Sequence, residues 1–237
     1  MASILNFCGI ILNPILFIKS MHQKFPPQFG LYFLTDSTLT KIPVEEQVKQ
    51  ALKARIKVIQ YREKTLSTKE QYNQALTLRK LTKGKALLII NDRIDICMAV
   101  NADGVHLGKE DIPCKYARKI LKDKIIGLST HNLQEAIEAE KIGADYIAVG
   151  PIFPTETKKD HEQPVEIDNL KEIVERIKTP LVAIGGINHA NLKDVLSTGI
   201  KNFVIISAIM KDGKIEENIK NARRLYHNPA LYSLSHD

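Results

Sequence analysis

The sequence predicts an α/β fold, a single (β/α)8 TIM barrel with an N-terminal extension. Three observations predict it. From Leu31 onward, short apolar or β-branched runs alternate with amphipathic stretches of helical period, and the alternation occurs eight times. The apolar runs are continuous, as in strands buried on both faces, and helical crossovers between such strands make a sheet parallel. Eight units in about two hundred residues fit a closed barrel at its small end, and no linker or composition shift divides the repeat. A doubly wound open sheet has the same periodicity, so period alone leaves that alternative open.

The units follow in order. LYFLTD leads into VEEQVKQALKA, KVIQYREK into STKEQYNQALTLRKL, ALLIIND into DICMAVN, and GVHLG into PCKYARKILK. IIGLST then precedes NLQEAIEAEKIG, DYIAVGP precedes IDNLKEIVERIK, PLVAIGGI precedes NHANLKDVLSTG, and NFVIISAIM precedes IEENIKNARRLY. Residues 30–227 are expected to form the barrel, 228–237 a tail and 1–29 the extension. In the extension, Asn6, Asn13 and Pro14 interrupt the apolar cluster from Ile4 to Ile18. The cluster falls short of the ~20 apolar residues of a membrane-spanning helix. No basic residue precedes it and Lys19 follows, the reverse of a signal peptide's order. It reads as an extension or a helix capping the core, and the adjacent prolines of FPPQFG end it.

Composition narrows the function. With 237 residues, 44% hydrophobic and 26% charged, the chain is a soluble globular protein with one sizeable core. Cys8, Cys97 and Cys114 are too few and too irregularly spaced for a disulfide framework or a zinc site, so reduced thiols and a cytoplasmic location are expected. The net charge of +7 is spread along the chain rather than blocked, which assigns most lysines to solvated helix faces. Aromatic residues make up 6% and Trp is absent, which argues against stacking on single-stranded nucleic acid. No nucleic-acid or membrane partner is expected; self-association into a homo-oligomer stays open.

In a barrel the active site lies where strand C-termini feed the following loops. Those positions hold Gln60, Arg62 and Lys64 after the second strand, Asn91 and Asp92 after the third, and Gly108 to Asp111 after the fourth. Ser129 and His131 follow the fifth, Thr155, Thr157 and Lys158 the sixth, Gly185 and Gly186 the seventh, and Ser207 the eighth. Alternation along a strand puts Gln60, Arg62 and Lys64 on one face. They can be a salt-bridging strand end, but together with Lys158 they suit a polyanion.

Asp92 and Asp111 offer hard oxygen ligands beside those cations, the usual setting of Mg2+. Each can equally cap the helix that follows it, and the two roles are compatible. On the opposite side of the mouth, Gly185 and Gly186, with the Ser207 hydroxyl beside them, suggest a phosphate cup of backbone N–H groups, although glycines also end strands for steric reasons. In TETK, hydroxyls face one anionic ligand and Lys158 another. His106 reads as a packing residue at the mouth, and neither it nor His131 enters the catalytic set. No Ser-His-Asp or Cys-His arrangement is evident.

QYREK, INDR, ADGVHLGKED, IGLSTH, GADYIAVGPIFPTETKKD, VAIGGI and VIISAI, in this order and spacing, resemble the thiamine phosphate synthase family over roughly Leu31 to Met210. The resemblance implies a (β/α)8 transferase that joins a hydroxymethylpyrimidine diphosphate to a hydroxyethylthiazole phosphate with Mg2+. It implies that Gln60, Tyr61, Arg62, Glu63, Lys64, Asn91, Ser129 and Lys158 hold the pyrimidine diphosphate, with Asp92 and Asp111 on the metal. Thr155, Glu156, Thr157, Gly186, Ile206 and Ser207 would hold the thiazole phosphate. Arg62, Lys64, Ser129 and Lys158 would stabilise the departing pyrophosphate. Lys109 stands where the family often has Gln, which touches no catalytic role. Two alternatives remain: a related thiazole tautomerase, and a silent thiamine-phosphate-binding regulator on the same barrel. Both would be expected to lack parts of the charged apparatus, which is intact here.

Overall fold

The computed structural model describes residues 24–155 and 163–227. Cys8, the Ile4 to Ile18 run, the 228–237 tail, and Glu156, Thr157 and Lys158 lie outside the described residues.

The first apolar run is split around Tyr32 into β1 (Gly30–Leu31) and β2 (Phe33–Leu34). β1 pairs in parallel with the last strand, β9 (Asn202–Phe203), and β2 with β3 (Val58–Tyr61). Tyr32 N–H donates to the Phe203 carbonyl at 2.9 Å and carries the ladder across the split. Between them β4 (Leu87–Asn91), β5 (Gly104–Leu107), β6 (Ile125–Thr130), β7 (Tyr146–Val149) and β8 (Leu181–Ala183) pair in chain order. Because the first strand bonds to both the second and the last, the sheet closes, and an open doubly wound sheet is ruled out.

The helices are α1 (Val44–Lys53), α2 (Thr68–Thr82), α3 (Ile94–Ala99), α4 (Cys114–Leu121), α5 (Leu133–Lys141), α6 (Ile167–Arg176), α7 (Leu192–Ser197), α8 (Ser207–Met210) and α9 (Ile215–His227). Their local signals are plain: Ser67 and Glu70 cap α2 reciprocally, and Asn132 caps α5 through the Glu135 N–H. Two elements depart from expectation. NFVIISAIM is strand only at Asn202–Phe203 and turns into α8, where Ile209 and Met210 are still buried; a short apolar run buries its side chains in either conformation. NHANLKDVLSTG becomes helical only from Leu192, because Asn188 and Asn191 bond the backbone of their own turn instead.

The core has two layers. Between sheet and helices lies a continuous apolar shell that includes Val48, Leu78, Leu88, Ile126, Ile173 and Ile219. Inside the barrel sit Tyr32, Leu34, Val58, Ile89, Ile125, Tyr146, Val182 and Val204, joined by Phe25. Phe25 stacks on Tyr146 with ring centroids 4.1 Å apart and is fully buried, so the segment assigned to the extension plugs the N-terminal end of the barrel. Gly127 lies opposite Tyr146, and a Cβ there would overlap the Tyr146 ring; a bare backbone at that point admits the ring to the barrel interior.

Candidate active site at the barrel mouth

The C-terminal strand ends carry paired charges. The Arg62 guanidinium meets Asp36 at 3.2 Å, and its backbone N–H donates to Thr35 Oγ1 at 3.0 Å. Asp36 is itself nearly buried and fixed by the Thr38 N–H and hydroxyl, at 2.8 and 2.6 Å. Lys64 meets Asp92 at 2.6 Å. Asp111 accepts from the Gly108 N–H at 2.7 Å and lies within hydrogen-bonding reach of the Asp92 carboxyl. The two carboxylates expected to bind metal therefore meet at one point, after adjacent strands.

Neither aspartate is a helix cap. The N-caps of α3 and α4 are Arg93 and Pro113, without side-chain cap bonds. Asp92 instead adopts φ +60, a left-handed conformation that Asp tolerates better than most residues. Asp111 has its pKa raised, first by burial and then by the Asp92 charge, against the opposing Gly108 N–H and Lys64. Two carboxylates crowding each other in this way fit a divalent cation, which removes the repulsion. Among the described residues no third His, Cys, Asp or Glu joins them. That donor set suits Mg2+, which takes one or two carboxylates and completes its shell with water and phosphate oxygens.

The strand after α1 supplies both faces of its wall. Gln60 is buried inside the barrel and donates to the Tyr32 hydroxyl at 3.1 Å. Tyr61 points the other way, its hydroxyl donating to Gln74 of α2 at 2.8 Å, so alternation removes it from the mouth. Glu63 turns back to accept from Ser37 and Thr65 at 2.7 and 2.6 Å. Burial pushes its pKa up, yet those hydroxyls and two backbone N–H groups together hold it below the usual value. It fixes the loop that carries Lys64.

Ser129 stands on β6 with Oγ 2.9 Å from His106 Nε2, and His106 Nδ1 is 2.9 Å from the Tyr146 hydroxyl. Tyr146 in turn lies 3.0 Å from the Tyr32 hydroxyl. His131 turns aside to Glu135 at 2.9 Å. Asn91 ends β4 directly opposite His106 in register.

The opposite rim is made of backbone. Gly185 and Gly186 have φ +96 and +67, and a Cβ on Gly186 would lie 2.6 Å from the Phe153 carbonyl. The loop after β7 runs beside them, with Ile152 N–H on Ile184 O at 3.0 Å and Phe153 N–H on Gly185 O at 3.1 Å. The glycines thus serve close packing of two loops as well as any anion. Ile206 and Ser207 form the N-terminus of α8 on the neighbouring strand, and Thr155 ends the described part of the β7 loop.

Sequence reasoning missed Asp36, Tyr32 and Tyr146. Asp36 was visible as the last residue of LYFLTD, at a strand's C-terminal end. The tyrosines had no signal beyond apolar periodicity, which does not report a hydroxyl's partner.

Comparison with known proteins identifies the family. The family model described as Thiamine monophosphate synthase matches residues 31–209. A protein named Thiamine-phosphate synthase from Clostridium novyi (strain NT) is 50% identical over 191 residues, covering 79% of this chain and 94% of that one. Its namesake from Pyrococcus abyssi (strain GE5 / Orsay) is 45% identical over 202 residues, with 85% and 96% covered. The solved structure of thiamine phosphate pyrophosphorylase from Pyrococcus furiosus superposes with a TM-score of 0.78 at 40% identity, covering 87% of this chain and 98% of that one.

Proposed function

The chain belongs to the thiamine monophosphate synthase family, and on that premise we propose that it joins 4-amino-2-methyl-5-(diphosphooxymethyl)pyrimidine to hydroxyethylthiazole phosphate, giving thiamine phosphate and pyrophosphate. The observation that carries this reading is the convergence of Arg62, Lys64, Asp92 and Asp111 on one mouth. Two cations and a crowded carboxylate pair at the same end of the barrel suit a diphosphate with its metal.

The bond that breaks is the one between the pyrimidine methylene and the diphosphate oxygen, and pyrophosphate leaves with the electron pair. The thiazole nitrogen then supplies its lone pair to the methylene carbon. It has no proton to lose, so no general base is needed. An electron-rich aminopyrimidine stabilises positive charge on the methylene, which favours a dissociative step. The protein's task is to hold fixed positive charge where negative charge develops. Arg62, kept in place by Asp36, and Lys64 meet the diphosphate, and Lys158 adds a third positive charge. Ser129 donates to the departing oxygen. Asp92 and Asp111 would hold Mg2+, which would supply charge neutralisation to the departing pyrophosphate. Gly186, Ile206, Ser207 and the Thr155 to Thr157 loop receive the thiazole phosphate through N–H groups and hydroxyls.

Intact charge at the mouth argues against a thiazole tautomerase or a silent regulator. Incubating the purified protein with both substrates and Mg2+ should yield thiamine phosphate and equimolar pyrophosphate. Isomerisation of the thiazole without condensation, or binding without turnover, would replace this reading.

A further inference from the structure

We infer that Tyr146 and His106 are positioning residues that aim the Ser129 hydroxyl proton into the mouth. The inference rests on the reading of Ser129 as donor to the departing oxygen, and it adds what fixes that donor.

Five side chains form one file of hydrogen bonds inside the barrel: Gln60 to Tyr32 at 3.1 Å, Tyr32 to Tyr146 at 3.0 Å, Tyr146 to His106 Nδ1 at 2.9 Å, and His106 Nε2 to Ser129 at 2.9 Å. Each hydroxyl has a single hydrogen, so the direction of one bond dictates the next. The Gln60 amide donates to Tyr32. Tyr32 is fully buried and its remaining side-chain partner is Tyr146, so its own hydrogen goes there. Tyr146, having accepted, donates to His106 Nδ1. The imidazole then carries its proton on Nε2 and gives it to Ser129 Oγ. With one lone pair occupied from behind, the Ser129 hydrogen is directed away from His106, toward the mouth.

Burial supports the one-way order. Desolvation raises the pKa of both tyrosines, so both remain phenols with one hydrogen each across the working range. The geometry is built rather than incidental: the Tyr146 ring enters the barrel because residue 127 has no side chain, and it packs against the rings of Phe25 and His106, with centroids 4.1 and 5.5 Å away. A Gln60 amide turned the other way reverses every bond in the file. His106 would then hold its proton on Nδ1, and Ser129 would spend its hydrogen on Nε2. The tautomer of one histidine therefore reports the direction of all four bonds.

Two measurements test this. Imidazole 15N shifts of the wild-type protein should show His106 with a protonated Nε2 and a bare Nδ1; the Nδ1–H tautomer overturns the proposal. In kinetics, Tyr146→Phe keeps the ring and removes only the hydroxyl. It should lower kcat by about tenfold, the size of one net hydrogen bond, with KM for both substrates unchanged. In a Ser129→Ala background the same change should cost less than about twofold, because the residue it acts through is gone. His106→Gln, which keeps a donor toward Ser129, should recover activity that His106→Ala loses. Equal losses from Tyr146→Phe with and without Ser129 make the file purely structural and overturn the relay alone. A Ser129→Ala enzyme with undiminished kcat overturns the donor reading itself.

Discussion

At the N-terminal end of the barrel, Asp103 and Asp145 each stand one residue before a strand, accept a backbone N–H from the preceding strand, and meet an arginine of the helix leading into it. Asp103 takes Leu88 N–H at 2.7 Å and Arg79 at 2.9 Å; Asp145 takes Ile126 N–H at 2.8 Å and Arg118 at 2.6 Å. At the mouth, Asp92 and Asp111 instead lie within hydrogen-bonding reach of each other, with Lys64 paired to Asp92, and the pKa of Asp111 is raised, by burial first and by its neighbour's charge as well. The same residue type is saturated with donors at one end and crowded at the other. Carboxylates that complete the fold, Asp36 at the mouth among them, are supplied with partners by the chain, whereas Asp92 and Asp111 are left crowded, the state in which the proposed cation would relieve them.

The sharpest way to break this comparison is to remove charge at the mouth. Asp92→Asn or Asp111→Asn should lower turnover by at least about a hundredfold, since a metal's contribution to a developing anion amounts to several kcal/mol. Thermal unfolding without Mg2+ should be unchanged or shifted upward for Asp111→Asn and nearly unchanged for Asp92→Asn, because neither side chain caps a helix and the relieved repulsion is offset at Asp92 by loss of its exposed Lys64 pair. Full activity in both variants would end the metal assignment. A marked drop in melting temperature would show that these aspartates stabilise the fold as the lower ones do.

The lower end should respond in the opposite way. Asp145→Ala removes an acceptor from Ile126 N–H and from the Arg118 guanidinium, with both side chains mostly shielded. The loss should be about 1–3 kcal/mol, the cost of leaving such donors without a partner. At roughly 2–4 °C per kcal/mol for a domain of this size, the melting temperature should fall by several degrees. kcat and both KM values should hold, since the change lies at the far end of the strands. A loss of kcat with unchanged stability would mean that the two ends are not separate in function.

How much of this was legible follows the same division. The barrel could be read because eight buried strands and their amphipathic helices each leave a period, and closure is the packing answer for that number of units. The mouth's charges could be read because barrels place strand ends together, so Lys64, Asp92 and Asp111 meet although they lie far apart in sequence. What stayed hidden depends on side-chain direction at single positions. Tyr61 shares the QYREK motif yet faces Gln74, because alternation turns it outward. Phe25 lies before two prolines, which mark a break in the chain but not that the ring returns beneath the barrel. His106 reads as packing in GVHLG, and it does pack, but its two nitrogens also join Tyr146 to Ser129. An apolar run records that a position is buried and leaves open which polar atom it carries inward.

The smallest effect, and a direct measure of saturated against crowded carboxylates, lies in their pH dependence. Glu140 on α5 accepts from the N–H groups of Lys178 and Thr179, each at 2.8 Å, and from the Thr179 hydroxyl at 3.0 Å, just before β8. Burial pushes its pKa up, but those donors and the Lys178 charge outweigh it and hold it below the ordinary value. A depressed pKa means that the unfolded chain binds the proton more readily. The stabilisation from Glu140 is therefore fully present above the usual carboxylate value of about 4.3 and is lost as pH falls through the folded value. Asp111 has the opposite sign: its raised pKa makes its charge a burden on the folded state at neutral pH, relieved as pH falls. The difference in melting temperature between wild type and Glu140→Gln should favour wild type at about pH 7 and shrink toward about pH 3. For Asp111→Asn without Mg2+ the difference should favour the variant at neutral pH and shrink over a window shifted to higher pH. Because an amide oxygen still accepts hydrogen bonds, what changes with pH in each pair is the charge alone. A Glu140→Gln difference that is equal at both pH values would assign the whole effect to hydrogen-bond geometry and remove charge from the comparison.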